Sequence, residues 1–333
     1  MSARIFILGS GKMALDAGLF FLGKGQRVTW VSGSPERLEK IGRRARAALG
    51  RLAPSGPVAD DAARTLSPGP LDLEEADIVF ETTAEDLERK RAVLESTGAG
   101  RSGALILSNS SSILPSTIHP RAAGFHVFYP VELTMVAETI FPAGFPAPLR
   151  ARTMDFARDC GLETLVQDEE RAFAANRLLL PVQCEAVRLL LEGGPPSVID
   201  DVSSCAVLPR GQLALMDGVG LDIILASVRN YVGRMREEKA QDHAPLLDGL
   251  ERLVAGGRLG RKNGSGFLCG GPLPWPAAAL HENIDACRKR FLRLFLDTCL
   301  QFVEKKAVER SDMDVILKNV LGSSRTLEDV LKP

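Results

Sequence analysis

The sequence predicts an α/β chain in two parts, a doubly wound N-terminal domain over residues 1–172 and a second, all-helical C-terminal domain over 173–333. Three observations predict it. Short β-rich apolar runs alternate with helical stretches through the first half, which implies crossover connections and a parallel sheet with helices on both faces. A glycine turn, "GSGKMA", directly follows the first of those runs. From residue 172 the text turns helical with "ANRLLLPVQCEAVRLLLEGG", and no convincing strand follows.

In chain order, "RIFIL" is the first strand and a helix runs from about Lys12 to Gly23. "RVTWV" leads into the helix "SPERLEKIGRRARAAL", and "ADIVF" into "EDLERKRAVLES". "ALILS", "GFHVF" and, after another helix, "LETLV" complete the strands. Two Gly/Pro-rich stretches read as linkers, "APSGP" at 53–57 and "CGGPLPWP" at 269–276. In the helical half, "CEAVRLLLEGGPPSVIDDV" (184–202) is echoed by "CLQFVEKKAVERSDMDVIL" (299–317). Each reads as an amphipathic helix followed by a Ser-x-x-Asp cap, Ser197 with Asp200 and Ser311 with Asp314, which points to a duplicated helical unit.

Composition narrows the function classes. A chain of 333 residues, a quarter of them charged and 45% hydrophobic, buries a substantial core. A formal charge of −1 gives no long-range attraction to nucleic acid or to an anionic membrane, and neither is expected as a partner. No apolar run reaches bilayer length, and the N-terminal one is too short for a secretory core. The six cysteines (Cys160, Cys184, Cys205, Cys269, Cys287, Cys299) show no C-x-x-C spacing and read as buried thiols. A cytoplasmic protein without a metal site is expected.

Gly9, Gly11 and Ala14 fit G-x-G-x-x-[G/A] between a strand and a helix. The first glycine permits the tight turn, the second lets backbone approach phosphate, and the small third residue allows close helix–strand packing. Lys12 and Met13 of the same turn, and Thr82 at a later strand end, join them as candidate cofactor contacts. Where such a turn usually has an acid for the ribose, this chain has Ser32, with Ser34 and Arg37 just beyond. An acid would bind both ribose hydroxyls and repel a 2′-phosphate, whereas hydroxyls and a guanidinium do the opposite. The expected cofactor is NAD(P), leaning slightly to NADP; the plainer alternative is that Ser34 caps the next helix and Arg37 is solvated.

Ligands of open parallel sheets bind beyond the strands' carboxyl ends. The polar residues there are Glu81, Thr82 and Thr83, the "SNSSS" of 108–112, and His126. A histidine in an apolar strand is more often a satisfied core residue than a catalyst. A carboxylate and a hydroxyl-rich loop would shift it toward chemistry, and Glu138 could supply the carboxylate.

"ILSNSSSI", "GFHVFYPVEL…AETI", "ANRLLLPVQCEAVRLLLEGG", "DGVGLD" and "LVAGGRLGRKNGSGF" occur in one order and spacing. In these the chain resembles the 3-hydroxyacyl-CoA dehydrogenase family from residue 4 to about 268. The resemblance implies a Rossmann domain plus a helical substrate or dimerisation domain, and a nicotinamide-dependent oxidoreductase of fatty acid metabolism. It implies His126 as general acid/base, Glu138 orienting its ring, and Ser111 and Asn176 bonding the reacting oxygen. Glu85 and Lys90 match positions lining the cofactor, their alternative being a solvated face of a charged helix. Asn109 would lie on the nicotinamide side, and His119 is a loop residue. A homodimer is implied, or a monomer if the C-terminal repeat covers the pairing surface.

The chain also departs from the family pattern. Tyr129 replaces the asparagine of H-x-F-N-P, "DEERAF" replaces D-x-P-G-F, and "VLPRGQ" keeps only Pro209 and Gly211 of its loop. The stretch around "LAPSGPVADD" looks shortened. An intact catalytic set with an altered recognition wall leaves three readings. One is a 3-hydroxyacyl/3-oxoacyl thioester on CoA or a carrier protein. The second is a free 3-hydroxy acid with Arg177 or Arg210 for its carboxylate, and the third a retired, nucleotide-binding family member.

Overall fold

A computed structural model describes residues 2–52, 63–65, 76–101, 103–205, 207–276 and 283–331. The 53–57 linker and nearly all of the stretch that looks shortened lie outside the described residues. The chain divides into two compact units, 1–172 and 173–333.

The first unit runs β1 (Arg4–Leu8), α1 (Lys12–Gly23), β2 (Arg27–Ser32), α2 (Pro35–Leu52), β3 (Ala63–Thr65), β4 (Ile78–Glu81), α3 (Leu87–Ser96), β5 (Leu105–Ser108), α4 (Pro115–Ile118), β6 (Ala122–Val127), α5 (Val131–Thr134), β7 (Val136–Phe141), α6 (Ala147–Asp159) and β8 (Glu163–Asp168). One sheet joins all eight strands in the order β3-β2-β1-β4-β5-β6-β7-β8. The chain starts in the middle and winds outward both ways, so β1 and β4 flank the point where strand order reverses. That is where doubly wound sheets bind ligands.

Alternation sorts β1 between two cores: Ile5 and Ile7 face a layer with Phe21, Phe80, Phe125 and Phe156, while Phe6 and Leu8 face an aliphatic layer with Leu94, Ile106 and Ile118. Helices on both faces account for strands that are apolar throughout.

The sheet is parallel except at one seam: β7 runs antiparallel to β6. β7 and the three-residue β3 are not evident from the sequence. β7 carries Glu138 inside its apolar text, and β3 is too short to show a period.

Close packing fixes α1 against β2. Trp30 is fully buried, and its Nε1 donates to the Ala14 carbonyl at 2.7 Å. Its ring lies where a Cβ on Gly18 would come within 2.3 Å.

The second unit contains α7 (Ala174–Leu191), α8 (Pro196–Val202), α9 (Gln212–Val219), α10 (Leu221–Val232), α11 (Glu237–Gln241), α12 (Ala244–Ala255), α13 (Ile284–Glu304), α14 (Arg310–Val315) and α15 (Leu327–Leu331). Its described residues form no strand, only the isolated bridges Cys205–Leu208 and Gly260–Ser265. α7 is the hub, with α12 and α13 packed along it. Asp217 closes the "GRLGRKNGSGF" loop by accepting the Phe267 and Leu268 N–H groups at 2.9 and 3.0 Å, and a Cβ on Gly266 would come within 2.1 Å of that carboxylate. The expected 269–276 linker is tied down, because the Arg258 guanidinium donates to the carbonyls of Gly270, Gly271 and Pro272.

The Ser-x-x-Asp caps do not form. Ser197 and Ser311 lie inside α8 and α14, whose N-caps, Pro195 and Glu309, make no side-chain bond. The aspartates serve the third helix of each set instead. Asp200 Oδ1 accepts the Ala214 N–H in the first turn of α9 at 2.8 Å, and Asp314 Oδ1 accepts the Leu327 N–H of α15 at 2.9 Å. The order of long helix, short helix and aspartate-bonded helix therefore occurs twice. The six cysteines form no disulfide among the described residues; Cys160, Cys184, Cys287 and Cys299 are buried as expected, whereas Cys205 and Cys269 are half-buried. Burial pushes the thiols of Cys160 and Cys299 up to about 12.

The Gly18–Trp30 contact generates a stability prediction. Gly18→Ala overpacks a rigid site and is expected to cost about 1–3 kcal/mol, read as a lower urea midpoint with an unchanged slope.

Candidate active site

Three groups of side chains gather at the carboxyl ends of the first unit's strands. The first is the glycine corner. Gly9 takes a φ of +142°, and a Cβ there would sit 2.8 Å from the Thr82 carbonyl oxygen, so no other residue fits. A Cβ on Gly11, the α1 N-cap, would meet nothing within 4 Å. No side chain caps α1, and its first turn holds no acid. Thr82 Oγ1 is buried beside this corner without a hydrogen-bond partner among the described residues. Open space over Gly11, an uncapped helix start and an orphaned hydroxyl fit a dinucleotide whose diphosphate lies on the helix N-terminus. Ala14 is buried, Met13 half-buried and Lys12 exposed.

At the end of β2, Ser32 Oγ accepts the Ser34 N–H at 3.3 Å, and Ser34 Oγ accepts the Arg37 N–H at 3.4 Å. Ser34 thus caps α2, which is the plainer alternative for that residue. It leaves the exposed Arg37 guanidinium with no partner among the described residues.

The second group is a buried charge cluster. Glu81 and Lys90 are 0% and 1% exposed, with the ammonium 2.9 Å from Glu81 Oε2 and 3.6 Å from Glu85 Oε2. The Ser108 hydroxyl donates to Glu81 at 2.7 Å. Glu85 Oε1 gathers the following loop, accepting from the Ser110 hydroxyl at 2.7 Å, the Ser112 hydroxyl at 2.6 Å and the Ser111 N–H at 3.1 Å. Burial pushes the Glu85 carboxyl up, but the Lys90 charge, the Ser112 and Ser110 hydroxyls and nearby His126 together hold it below the usual range. Neither Glu85 nor Lys90 belongs to a solvated helix face. Lys90, expected to line the cofactor, is buried, with its ammonium beside Glu81, Glu85 and the Thr83 carbonyl.

The third group is a histidine–carboxylate dyad. β6 and β7 place His126 directly opposite Glu138, and His126 Nδ1 lies 2.8 Å from Glu138 Oε2. Gln167 Nε2, from β8, donates to the other oxygen, Oε1, at 3.1 Å. Glu138 is fully buried and His126 nearly so, its ring edge-on to Phe128 at 4.4 Å. Asn109 Oδ1 accepts the Val127 N–H at 2.9 Å, clamping the end of β5 to the strand of the histidine.

Glu138, Glu85, Ser111, Asn109 and Thr82 thus collect around His126 and the glycine corner. His119 does not join them; its Nδ1 accepts the Arg121 N–H at 3.1 Å. Asn176 belongs to the second unit, half-buried in the first turn of α7. There too, the Arg177 guanidinium lies 5.2 Å over the Phe302 ring, and Arg210 is exposed.

Sequence reasoning missed Gln167 and the Glu81–Lys90 pair. Gln167 had a signal: with Leu165 it occupies the inward positions of β8, where a polar residue needs a partner. Among the described residues no three His, Cys, Asp or Glu side chains could hold a metal ion, and no helix is long and apolar enough to cross a membrane.

Residues 4–170 match the family model for the NAD binding domain of 3-hydroxyacyl-CoA dehydrogenase, and residues 173–269 match that for its C-terminal domain. A probable 3-hydroxyacyl-CoA dehydrogenase of Caenorhabditis elegans is 30% identical over 285 residues, covering 79% of this chain and 91% of that protein. The fatty acid oxidation complex subunit alpha of Shewanella frigidimarina (strain NCIMB 400) is 30% identical over 219 residues, or 64% of this chain; the match spans only 30% of that relative's length. Among solved structures, (S)-3-hydroxybutyryl-CoA dehydrogenase PaaH1 from Ralstonia eutropha superposes with a TM-score of 0.67 at 26% identity, covering 82% of this chain and all of that one. Escherichia coli 3-hydroxybutyryl-CoA dehydrogenase shares the fold over 99% of this chain and 91% of its own, with a TM-score of 0.74 at 18% identity.

The charge cluster generates a pH prediction. Because the folded Glu85 carboxyl binds its proton less readily than the unfolded one, its stabilisation is full above the ordinary value of 4.5 and is lost as pH falls through the lower folded value. Glu85→Gln is expected to cost about 2 kcal/mol at pH 7, with the gap to wild type closing in urea titrations repeated at progressively lower pH.

Proposed function

The chain belongs to the 3-hydroxyacyl-CoA dehydrogenase family, and from that premise we propose that it interconverts a 3-hydroxyacyl-CoA thioester and its 3-oxo form. The observation that carries this is the 2.8 Å contact between His126 Nδ1 and the buried Glu138 carboxylate, set beside a serine loop that Glu85 holds in place.

A bound nicotinamide ring supplies the acceptor, or the donor, of the hydride at carbon 3. This chain's residues manage the proton. The Glu138 carboxylate only accepts hydrogen bonds, so it selects the tautomer with the proton on Nδ1 and leaves Nε2 as the base. Nε2 then takes the proton of the 3-hydroxyl, and Glu138 stabilises the imidazolium that results. In reduction the same proton returns to the forming alkoxide. Ser111 would hydrogen-bond the reacting oxygen. For Asn176 a like role rests on the family likeness alone.

Gly9, Gly11, Met13, Ala14 and Thr82 form the proposed dinucleotide cradle, with Asn109, Glu85 and Lys90 holding the strand ends around it. Ser32, Ser34 and the exposed Arg37 guanidinium favour a 2′-phosphate, and hence NADP over NAD.

Two measurements test this reading. With acetoacetyl-CoA and reduced cofactor followed by absorbance, His126→Ala is expected to lower kcat by about 10²–10⁴ while reduced-cofactor affinity, read by fluorescence, stays unchanged. Turnover that survives the substitution would refute the assignment of the base. Arg37→Ala should weaken NADPH by about tenfold and leave NADH unaltered; equal effects on both would remove the preference for the phosphorylated cofactor.

A further inference from the structure

One departure from the family pattern, Tyr129, meets a residue of the glycine turn, Lys12, in space. Lys12 is the first residue of α1, and its ammonium lies 3.3 Å from the centroid of the Tyr129 ring. Tyr129 follows the strand of His126 and stands 49% exposed, and Lys12 is exposed too. The pair spans the lip of the glycine corner, joining the helix start that faces a diphosphate to the loop that leaves the dyad. A second bond holds the same elements together: Asp16 Oδ2, one turn along α1, accepts the Val131 N–H at 2.8 Å.

A lysine here works against local electrostatics. The start of a helix carries the positive end of its dipole and disfavours a cation, and the first turn of α1 contains no acid to offset it. One cation–π contact and the attraction of Asp16, four residues along the helix, are small returns for placing and ordering a long charged side chain there. A residue that breaks a local rule for so small a structural gain marks function. A dinucleotide's diphosphate, with two negative charges, supplies that gain.

Resting on the dinucleotide site proposed above, we infer that Lys12 and Tyr129 form a two-residue contact for the cofactor diphosphate. The ring is the platform that keeps the ammonium at the mouth of the glycine turn. This adds a side-chain charge to a turn that otherwise binds phosphate through backbone N–H groups and the helix dipole. Because the diphosphate is common to both nicotinamide dinucleotides, the contact raises affinity for each alike, unlike Arg37.

The experiment is fluorescence titration of the full chain with NADH and NADPH at low and high salt. The proteins are wild type and the Lys12→Met, Lys12→Arg, Tyr129→Phe and Tyr129→Leu variants, each with its melting temperature recorded. Lys12→Met is expected to raise both dissociation constants by about tenfold at low salt, with the gap narrowing at high salt. Lys12→Arg and Tyr129→Phe should bind as wild type, and Tyr129→Leu should weaken both ligands by about threefold. Wild-type binding that Lys12→Met leaves within twofold for both ligands overturns this inference and spares the dinucleotide site. Loss of affinity in Lys12→Met but not in Tyr129→Leu overturns the platform. A wild-type chain that binds neither dinucleotide overturns the site itself, and this contact with it.

Discussion

In an antiparallel pair, residues directly opposite one another project from the same face with Cβ atoms only about 4.5–5.5 Å apart. The seam between β6 and β7 uses that constraint to set Glu138 against His126. A parallel strand in β7's place would slant the register and break the direct opposition. The pairing also resolves an electrostatic problem. A fully buried carboxylate is costly unless both oxygens are engaged, and Glu138 has the imidazole on one and Gln167 on the other. The histidine is therefore held by three adjacent strands, a rigid mount for a group whose ring angle decides what it can reach.

The same economy appears two strands over from the histidine, at the end of β4. Glu81, which is buried, and Glu85, which is nearly so, share a single buried ammonium, Lys90. One cation cannot neutralise two carboxylates, and the remaining demand falls on hydroxyl and backbone donors: Ser108 and Thr83 on Glu81, and Ser110, Ser111 and Ser112 on Glu85. The serine-rich loop is thus ordered by a charge that must be satisfied. Burial of the ion cluster and placement of Ser111 are two aspects of one arrangement.

This division explains what the sequence made legible. β1, β2 and α1 show in their apolar periods and in the glycine turn, because local text specifies them. The candidate site was legible wherever a motif carried it: Gly9 and Gly11, the serines of 108–112, His126 and, by its proximity in sequence, Glu138. β7 was hidden because its central position is a glutamate, and its role depends on a partner strand rather than on its own pattern. Lys90 looks like any lysine on a charged helix; only the fold reveals that Glu81 and Glu85 lie beneath it. Ser197 and Ser311 show the reverse error. Their spacing is that of a helix cap, but a proline or a glutamate takes the cap position, and the aspartates bond the next helix instead.

The departures from the family pattern obey the same physics. Inside the cluster and the dyad each carboxylate is held by a cation, an imidazole or hydrogen-bond donors, so removing one partner strands a buried charge. Tyr129, Lys12, Ser34 and Arg37 lie at the rim, where solvent can satisfy whatever a substitution leaves behind. A rim can therefore be rebuilt piece by piece while the buried dyad stays fixed. The rim residues share one chemistry: a lysine where the diphosphate would lie, and an arginine with two serines where an acid would hold the ribose. Each offers a phosphate a hydroxyl or a cation, and none adds a carboxylate. That common direction fits a corner kept for binding a nucleotide, as proposed above, better than one released from it.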